Sequence, residues 1–295
     1  MRRKISDRLM NAKKLYSDFI EKIKLEESAE EIQQLGFMVM EHELGLSTTE
    51  ILMEKDIEVS TDVQSKLGAI VQRLNKHEPI QYVLGDEEFL GKRFLVSPAV
   101  LIPRPETEEL VKQVPFPPAT GEETTVRILD IGTGSGCIAI SLKSLMPHAE
   151  VYATDVSDEA LSIAQRNIDR LEPQVKLLKH DILHEDIPIK DVDIIVSNPP
   201  YVAQQEKKSM QQHVLDHEPH VALFVPDNDP LIFYKAIAAR GKQVLKPGGK
   251  VVVEINALYG NETVSVFESE TYTDVALIKD MNGKNRFVIA TWNPA

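Results

Sequence analysis

Five short β-rich runs, Val126 to Ile131, Glu150 to Thr154, Val175 to Leu178, Val192 to Val196 and Lys250 to Ile255, alternate with stretches of helical periodicity. No other feature restricts the possible folds so strongly. The helical stretches are Ile138 to Leu145, Glu159 to Leu171 and Leu231 to Leu245, and Lys246-Pro247-Gly248-Gly249 supplies a turn back into a strand. Strands that alternate with helices pair in parallel, under helices on both faces. Two later runs, Val275 to Ile278 and Arg286 to Thr291, complete the sheet and can pair as a hairpin around Asn282-Gly283. The expectation is an α/β fold with a mostly parallel, seven-stranded, Rossmann-like sheet.

The front of the chain reads differently. Leu15, Phe19, Ile20 and Ile23, and again Leu67, Ile70, Val71 and Leu74, recur at the three- and four-residue spacing of amphipathic helices. Ser47 with Glu50, and Thr61 with Gln64, have the spacing of capping boxes. Residues 1–84 therefore read as a small helical bundle. Phe89, Leu90, Phe94, Leu95 and Val96 flank Gly91-Lys92, which suits a β-hairpin connector over residues 85–104. The α/β domain then occupies residues 105–295, beginning with a loop through the proline-rich run from Val114 to Pro118 and on to Thr125.

With 295 residues, 42% of them hydrophobic, the chain can bury the cores of two domains. No apolar run approaches the ~20 residues that span a bilayer. The basic start, Arg2, Arg3, Lys4 and Arg8, lacks the apolar core of a signal peptide, so a cytoplasmic protein, off the membrane, is expected. The single cysteine, Cys137, rules out an internal disulfide, and its neighbours Ile138, Ala139 and Ile140 read it as core filling rather than a nucleophile. A net charge of −13 disfavours sequence-independent adhesion to a phosphate backbone and favours a protein partner over direct nucleic-acid binding. A monomer is expected. His180 and His184 bracket Asp181 without further donors at ligand spacing, so they read as loop histidines and no metal site is expected.

Gly132-Thr133-Gly134-Ser135-Gly136 follows the run Leu129-Asp130-Ile131 and opens a helix, so its backbone can approach a bound cofactor closely. A dinucleotide fingerprint wants a further glycine where Cys137 stands, which disfavours NAD. Asp155 ends the next strand about twenty residues on, placed to accept hydrogen bonds from both hydroxyls of an adenosine ribose. Its alternative is an N-cap of the helix beginning near Asp158. Asp181, after the third strand, is placed to reach an adenine amino group, with Ile182 or Leu183 against the ring, although an exposed loop carboxylate is equally ordinary there.

Asn198-Pro199-Pro200-Tyr201 follows the fourth strand. Taken alone it marks a surface turn. Its residue types also suit methylation of a planar nitrogen, whose lone pair is delocalised into the neighbouring π-system. The Asn198 side-chain oxygen and the Pro199 carbonyl can accept both N–H groups and leave the lone pair facing a methyl donor. The prolines stiffen the frame, and Tyr201 offers a flat ring.

The glycine loop, the acidic strand end and Asn198 to Tyr201 together resemble the class I methyltransferases that use S-adenosylmethionine. More narrowly, Pro79-Ile80-Gln81-Tyr82-Val83-Leu84-Gly85, Phe89-Leu90-Gly91, Phe94 and Leu101-Ile102-Pro103-Arg104-Pro105-Glu106-Thr107-Glu108 resemble the peptide chain release factor glutamine methyltransferases. That resemblance implies methylation of the side-chain amide of the glutamine in the Gly-Gly-Gln loop of class 1 release factors. It implies that Gly132, Thr133, Gly134, Ser135, Gly136, Asp155 and Asn198 hold S-adenosylmethionine, to which the reading above adds Asp181 and Ile182, while Asn198, Pro199, Pro200 and Tyr201 hold the glutamine. Asn198 and Pro199 would be catalytic, residues 101–108 would border the entrance, Arg104 would pair with an internal carboxylate, and the bundle would dock the release factor. Two places depart from the family pattern: Val225 to Pro230, where a Gly-Gly-x-Asp-Gly run is frequent, and Asn256-Ala257, where a glycine commonly follows Glu254-Ile255. Two further readings stand beside this one. The first is methylation of the exocyclic amino group of adenine or cytosine in nucleic acid, which would require base flipping; the second is a non-catalytic cofactor-binding adaptor.

Overall fold

In the computed structural model, which describes residues 8–115 and 125–294, the chain divides into one unit running to Gly85 with Gln212–His217 and another made of Asp86–Gln211 with Glu218 onward. Arg2, Arg3, Lys4 and all but the ends of the proline-rich loop lie outside the described residues.

The first unit runs β1 (Arg8–Asn11), α1 (Ala12–Ile20), α2 (Ala29–Leu44), α3 (Thr48–Leu52), β2 (Asp56–Val59), α4 (Thr61–Leu74) and α5 (Ile80–Leu84). Leu15, Phe19 and Ile23 bury against Leu67, Ile70 and Leu74 in one core, as the helical spacing requires. Ser47 and Glu50 close a capping box: Ser47 Oγ accepts the Glu50 N–H at 3.2 Å and Glu50 accepts the Ser47 N–H at 3.0 Å. The second expected box does not form. Ser60, not Thr61, caps α4 by accepting the Val63 N–H at 3.2 Å. The reason is a strand pair that periodicity did not expose: β2 runs antiparallel to β1 as far as Val59, so the chain leaves the extended conformation one residue earlier than expected.

The second unit opens with the hairpin β3 (Asp86–Phe89) and β4 (Lys92–Leu95). Its two-residue turn, Leu90 at φ 47° and Gly91 at φ 71°, has the left-handed pair that matches strand twist. Phe89 and Phe94 meet edge to face at 6.0 Å and bury against Leu110, Val111 and Ile128, so the hairpin is part of this unit's core. There follow α6 (Pro105–Gln113), β5 (Arg127–Ile131), α7 (Cys137–Leu145), β6 (Glu150–Asp155), α8 (Asp158–Leu171), β7 (Val175–Lys179) and β8 (Val192–Ser197). Short β9 (Val202–Ala203) pairs with β10 (Phe224–Val225), and α9 (Gln212–His217) and α10 (His220–Leu223) lie between them in sequence, α9 belonging to the first unit. The chain ends with α11 (Ile232–Gly241), β11 (Leu245–Glu254), α12 (Gly260–Ser269), β12 (Thr273–Lys279) and β13 (Asn285–Trp292).

Seven strands form one sheet in the order β12-β13-β11-β8-β5-β6-β7. Only β13 runs antiparallel to its neighbours, and it closes the expected hairpin with β12. Alternate side chains feed two cores: Leu129, Ile131, Val251 and Val253 on one face, Ile128 and Val252 on the other. One boundary differs. The helix read as Leu231 to Leu245 stops at Gly241, where a Cβ would sit 3.0 Å from the Tyr272 hydroxyl and 3.1 Å from Ile195. Lys246 to Gly249 lies within β11 rather than in a turn before it, accommodated by a register shift against β8. Among the described residues, no helix is long and apolar enough to cross a membrane.

Candidate functional site

Chain order reverses around β5, with β6 on one side and β8 on the other, and this opens a crevice at the carboxyl ends of the strands. A cleft lined from the loops after β5, β6, β7 and β8 occupies that crevice.

The glycine loop forms its floor. Gly132 (φ 74°) and Gly134 (φ 54°) adopt left-handed backbone, and a Cβ on either would meet nothing within 4 Å. Both line the cleft, with Thr133 and Ser135 beside them. Gly136 does not. At φ 83° it stands outside the lining, where an added Cβ would lie 3.2 Å from Ile140 and 3.4 Å from Ala164, so it seats α7 against α8. Beneath the loop, Thr133 donates to Asp130 Oδ2 at 2.6 Å. Burial pushes the Asp130 carboxyl up to about 7 against that bond.

Asp155 turns back onto the loop. Its Oδ2 accepts the Gly134 N–H and its Oδ1 the Ser157 N–H, both at 2.9 Å, while burial raises its carboxyl above the usual range. It is not the helix cap: Ser157 caps α8 by accepting the Ala160 N–H at 3.1 Å. Asp181 and Ile182 also line the cleft. Asp181 is bound into its own turn, accepting the Leu183 N–H at 2.9 Å and facing His184 Nδ1 at 2.7 Å, which leaves one lone pair on each oxygen. Ile182 belongs to the core that holds Leu129 and Ile131.

On the opposite wall stand Asn198, Pro199 and Pro200. Asn198 Nδ2 donates to Thr107 Oγ1 at 3.0 Å, and Thr107 donates to Glu254 Oε2 at 2.8 Å. Asn198 Oδ1 has no hydrogen-bond partner among the described residues. Tyr201 departs from expectation. It does not line the cleft; its ring packs on the sheet core and its hydroxyl donates to Glu254 Oε1 at 3.1 Å, because a part-buried phenol needs a partner. Burial pushes the Glu254 carboxyl up to about 7.

Leu101, Pro103, Arg104 and Thr107 form one rim of the cleft. Arg104 pairs with Glu218, whose side chain is fully buried, and Glu218 also faces the Ile102 N–H at 3.4 Å. Asn256, the departure after β11, has a clear task. Its Nδ2 donates to the Tyr201 carbonyl at 3.1 Å and to Glu206 at 3.0 Å, which anchors the segment that follows Asn198. Asp227, in the other departure, accepts the Gln205 N–H at 2.9 Å and holds the same segment farther on.

Glu254 and the contact that Thr107 makes with it belong to no motif in the sequence. The available signal was a charge closing the apolar run Val251-Val252-Val253, since a buried carboxyl must find donors. Cys137 lies at the cleft wall, but burial pushes its thiol up to about 12, which fits core filling. Among the described residues no three metal-ligating side chains gather. The arrangement sets Asn198 Oδ1, without a partner among the described residues, across the cleft from an open glycine backbone, which suits positioning of a bound group more than nucleophilic attack by the protein.

A family model described as the methyltransferase small domain matches residues 108–221, and one described as the PrmC N-terminal domain matches residues 15–85. The chain is 48% identical over 262 residues to the release factor glutamine methyltransferase of Bacteroides thetaiotaomicron, covering 88% of this chain and 93% of that protein. It is 37% identical over 282 residues to the namesake from Streptococcus pneumoniae, covering 95% and 98%. Among solved structures it resembles the release factor-specific protein-(glutamine-N5) methyltransferase of Alicyclobacillus acidocaldarius, with 29% identity, 68% and 100% coverage and a TM-score of 0.41.

Proposed function

Because this chain belongs to the release factor glutamine methyltransferase family, we propose that it transfers a methyl group from S-adenosylmethionine to the side-chain amide nitrogen of the glutamine in the Gly-Gly-Gln motif of class 1 release factors. The observation that carries this reading is the orientation of Asn198. With Nδ2 held by Thr107, its Oδ1 remains for a carboxamide N–H, and the Pro199 carbonyl supplies the second acceptor. A glutamine amide gripped at both N–H groups keeps its lone pair clear of the protein. Holding it so replaces a search over orientations by a fixed approach.

The residues present fit the cofactor. Gly132 and Gly134 leave a cradle that any Cβ would begin to fill, and Asp155 offers carboxylate lone pairs at its edge. S-adenosylmethionine supplies an electrophilic methyl carbon when bound. Gly132 to Ser135 and Asp155 would hold it, with Asp181 and Ile182 at the far end of the cleft. The protein's own contribution is to bind, orient and exclude water. The first unit, with its match to an N-terminal domain, would dock the body of the release factor, and a cytoplasmic setting follows from that substrate.

Incubation with labelled S-adenosylmethionine and a class 1 release factor, followed by peptide mass spectrometry, tests the reading. Label confined to the Gly-Gly-Gln glutamine is expected. Transfer to an adenine-containing oligonucleotide instead would replace it with base methylation.

A further inference from the structure

The hydroxyl of Thr107 has one proton and two polar neighbours. Its Oγ1 lies 2.8 Å from Glu254 Oε2 and 3.0 Å from Asn198 Nδ2, and the threonine is only 3% exposed, so water has little access to either contact. An ionised carboxylate can only accept hydrogen bonds. The hydroxyl proton must therefore point to Glu254, and the Thr107 oxygen then has only lone pairs to offer Asn198. Under that condition the amide must present Nδ2 to Thr107, which turns Oδ1 away from it. Tyr201 donates to the other carboxylate oxygen at 3.1 Å, so both Glu254 oxygens receive protons from outside, as an ionised group requires.

Addition of a proton to Glu254 reverses the chain. Glu254 Oε2 then donates to Thr107, Thr107 has its own proton to give, and the group it best gives it to is Asn198 Oδ1. A rotated amide would direct Nδ2 at the cleft. The Asn198 NH2 would then face the substrate N–H that Oδ1 had accepted, and that half of the grip would be lost.

We infer that Thr107 is a positioning residue: by directing its proton to Glu254 it sets which end of the Asn198 amide faces the substrate, and so makes the grip on glutamine depend on the charge of Glu254. This rests on the reading of Asn198 given above. The groups facing Glu254 are Glu106 and Thr107 from α6, Tyr201 after β8, Tyr234 from α11, and Arg286 from β13, itself paired with Asp280. Burial, with Glu106 adding to it, raises the Glu254 carboxyl, while Thr107, Tyr201 and Arg286 oppose the rise. The result, about 7, lies where a modest change of pH alters its charge.

The test is the pH profile of kcat for methylation of a class 1 release factor at saturating S-adenosylmethionine, so that titration of Asp130 under the cofactor loop does not enter. For the unmodified enzyme, kcat is expected to rise about tenfold from pH 6 to pH 8, the change in ionised fraction of one group with a midpoint near 7. Thr107→Val is expected to lower kcat at pH 8 about tenfold, to flatten the profile and to leave the cofactor Kd unchanged, with Thr107→Ser restoring both rate and profile. Asn198→Ala should give a low rate that is flat with pH, and adding Thr107→Val to it should cost nothing more. A flat profile for the unmodified enzyme overturns the inference. So does an Asn198→Ala variant that keeps the inflection, or a Thr107→Val variant with unaltered rate and profile. The profiles of the unmodified and Asn198→Ala proteins decide the matter even if Thr107→Val does not fold. If Asn198→Ala retains full activity, the underlying reading of Asn198 fails instead, which is a separate result.

Discussion

Asp155 Oδ2 accepts the backbone N–H of Gly134 at 2.9 Å, so the acidic end of β6 and the glycine loop after β5 are one structural piece. A carboxylate in that position both shapes the loop and offers lone pairs to ribose hydroxyls. Asp155→Ala is expected to weaken S-adenosylmethionine binding at least tenfold, about 1.4 kcal/mol, as measured by calorimetry. Asp155→Asn, which keeps one acceptor, should lose less. An unaltered Kd for both would dismiss the assignment.

Two glycines of one loop should respond differently to the same change. Gly134 faces open cleft, so Gly134→Ala meets only the left-handed backbone penalty, about 1–2 kcal/mol, and its methyl intrudes on the cofactor cradle. Gly136→Ala meets a similar penalty and also presses on Ile140 and Ala164, which adds about 1–3 kcal/mol of overpacking. Thermal melting and cofactor titration of both variants are expected to show the larger stability loss at Gly136. The reverse order would contradict the packing role given to Gly136.

Asn198→Ala is expected to lower kcat by about 10² or more, since removal of one positioned polar partner costs roughly 3 kcal/mol in the transition state. Cofactor Kd should move little, because the Gly132–Ser135 loop and Asp155 remain. Single-turnover measurements with a release factor check this, and an unchanged rate would remove Asn198 from the chemistry.

Periodicity carried much of the α/β unit: all seven strands form, β11 alone starting well before its apolar run, and the loops that follow β5, β6 and β8 stand where the motifs put them. What it missed has a common physical origin. The β1–β2 pair of the first unit joins residues far apart in sequence through runs of only four residues, and although Ile57 and Val59 face the core, two alternating positions are too few to separate a strand from a loop. Gly136 and Tyr201 carry the right motif letters, but only packing reveals that one seats a helix and the other braces Glu254. Thr107 and Glu254 are separated by 147 positions, and no local pattern joins them.

Arg104 and Glu218 form the rim's ion pair with the carboxylate side chain wholly buried. Arg104→Met leaves that charge without its partner, at a cost of about 3 kcal/mol or more, and should lower the melting temperature accordingly. Pairing it with Glu218→Gln removes the charge and should recover most of the loss. If the double variant melts no higher than Arg104→Met alone, burial of the charge is not what the arginine offsets.

Stability and activity are expected to move in opposite directions as pH rises through neutrality. Burial lifts the carboxyls of Asp130 and Glu254 from their ordinary values, 3.8 and 4.5, to about 7. The folded chain therefore binds these two protons more tightly than the unfolded chain does. Stability from that difference is fully present below about 4 and is lost as pH climbs through 7, with a slope approaching 1.4 kcal/mol per pH unit for each group inside the window. Asp155, raised in the same sense by burial, adds to the trend. Carboxyls held low, such as Glu50 at about 2 through its bonds to Lys55 and Ser47, act only at acid pH and leave this window alone. The urea midpoint of the apo protein should fall between pH 5.5 and pH 8, and the fall should shrink in Glu254→Gln and in Asp130→Asn. A midpoint that holds steady or rises across that range would show that neither carboxyl takes up its proton on folding. The proton on Glu254 that strengthens the fold is also the one that would turn the Asn198 oxygen from the cleft, so the most active form of this enzyme need not be its most stable.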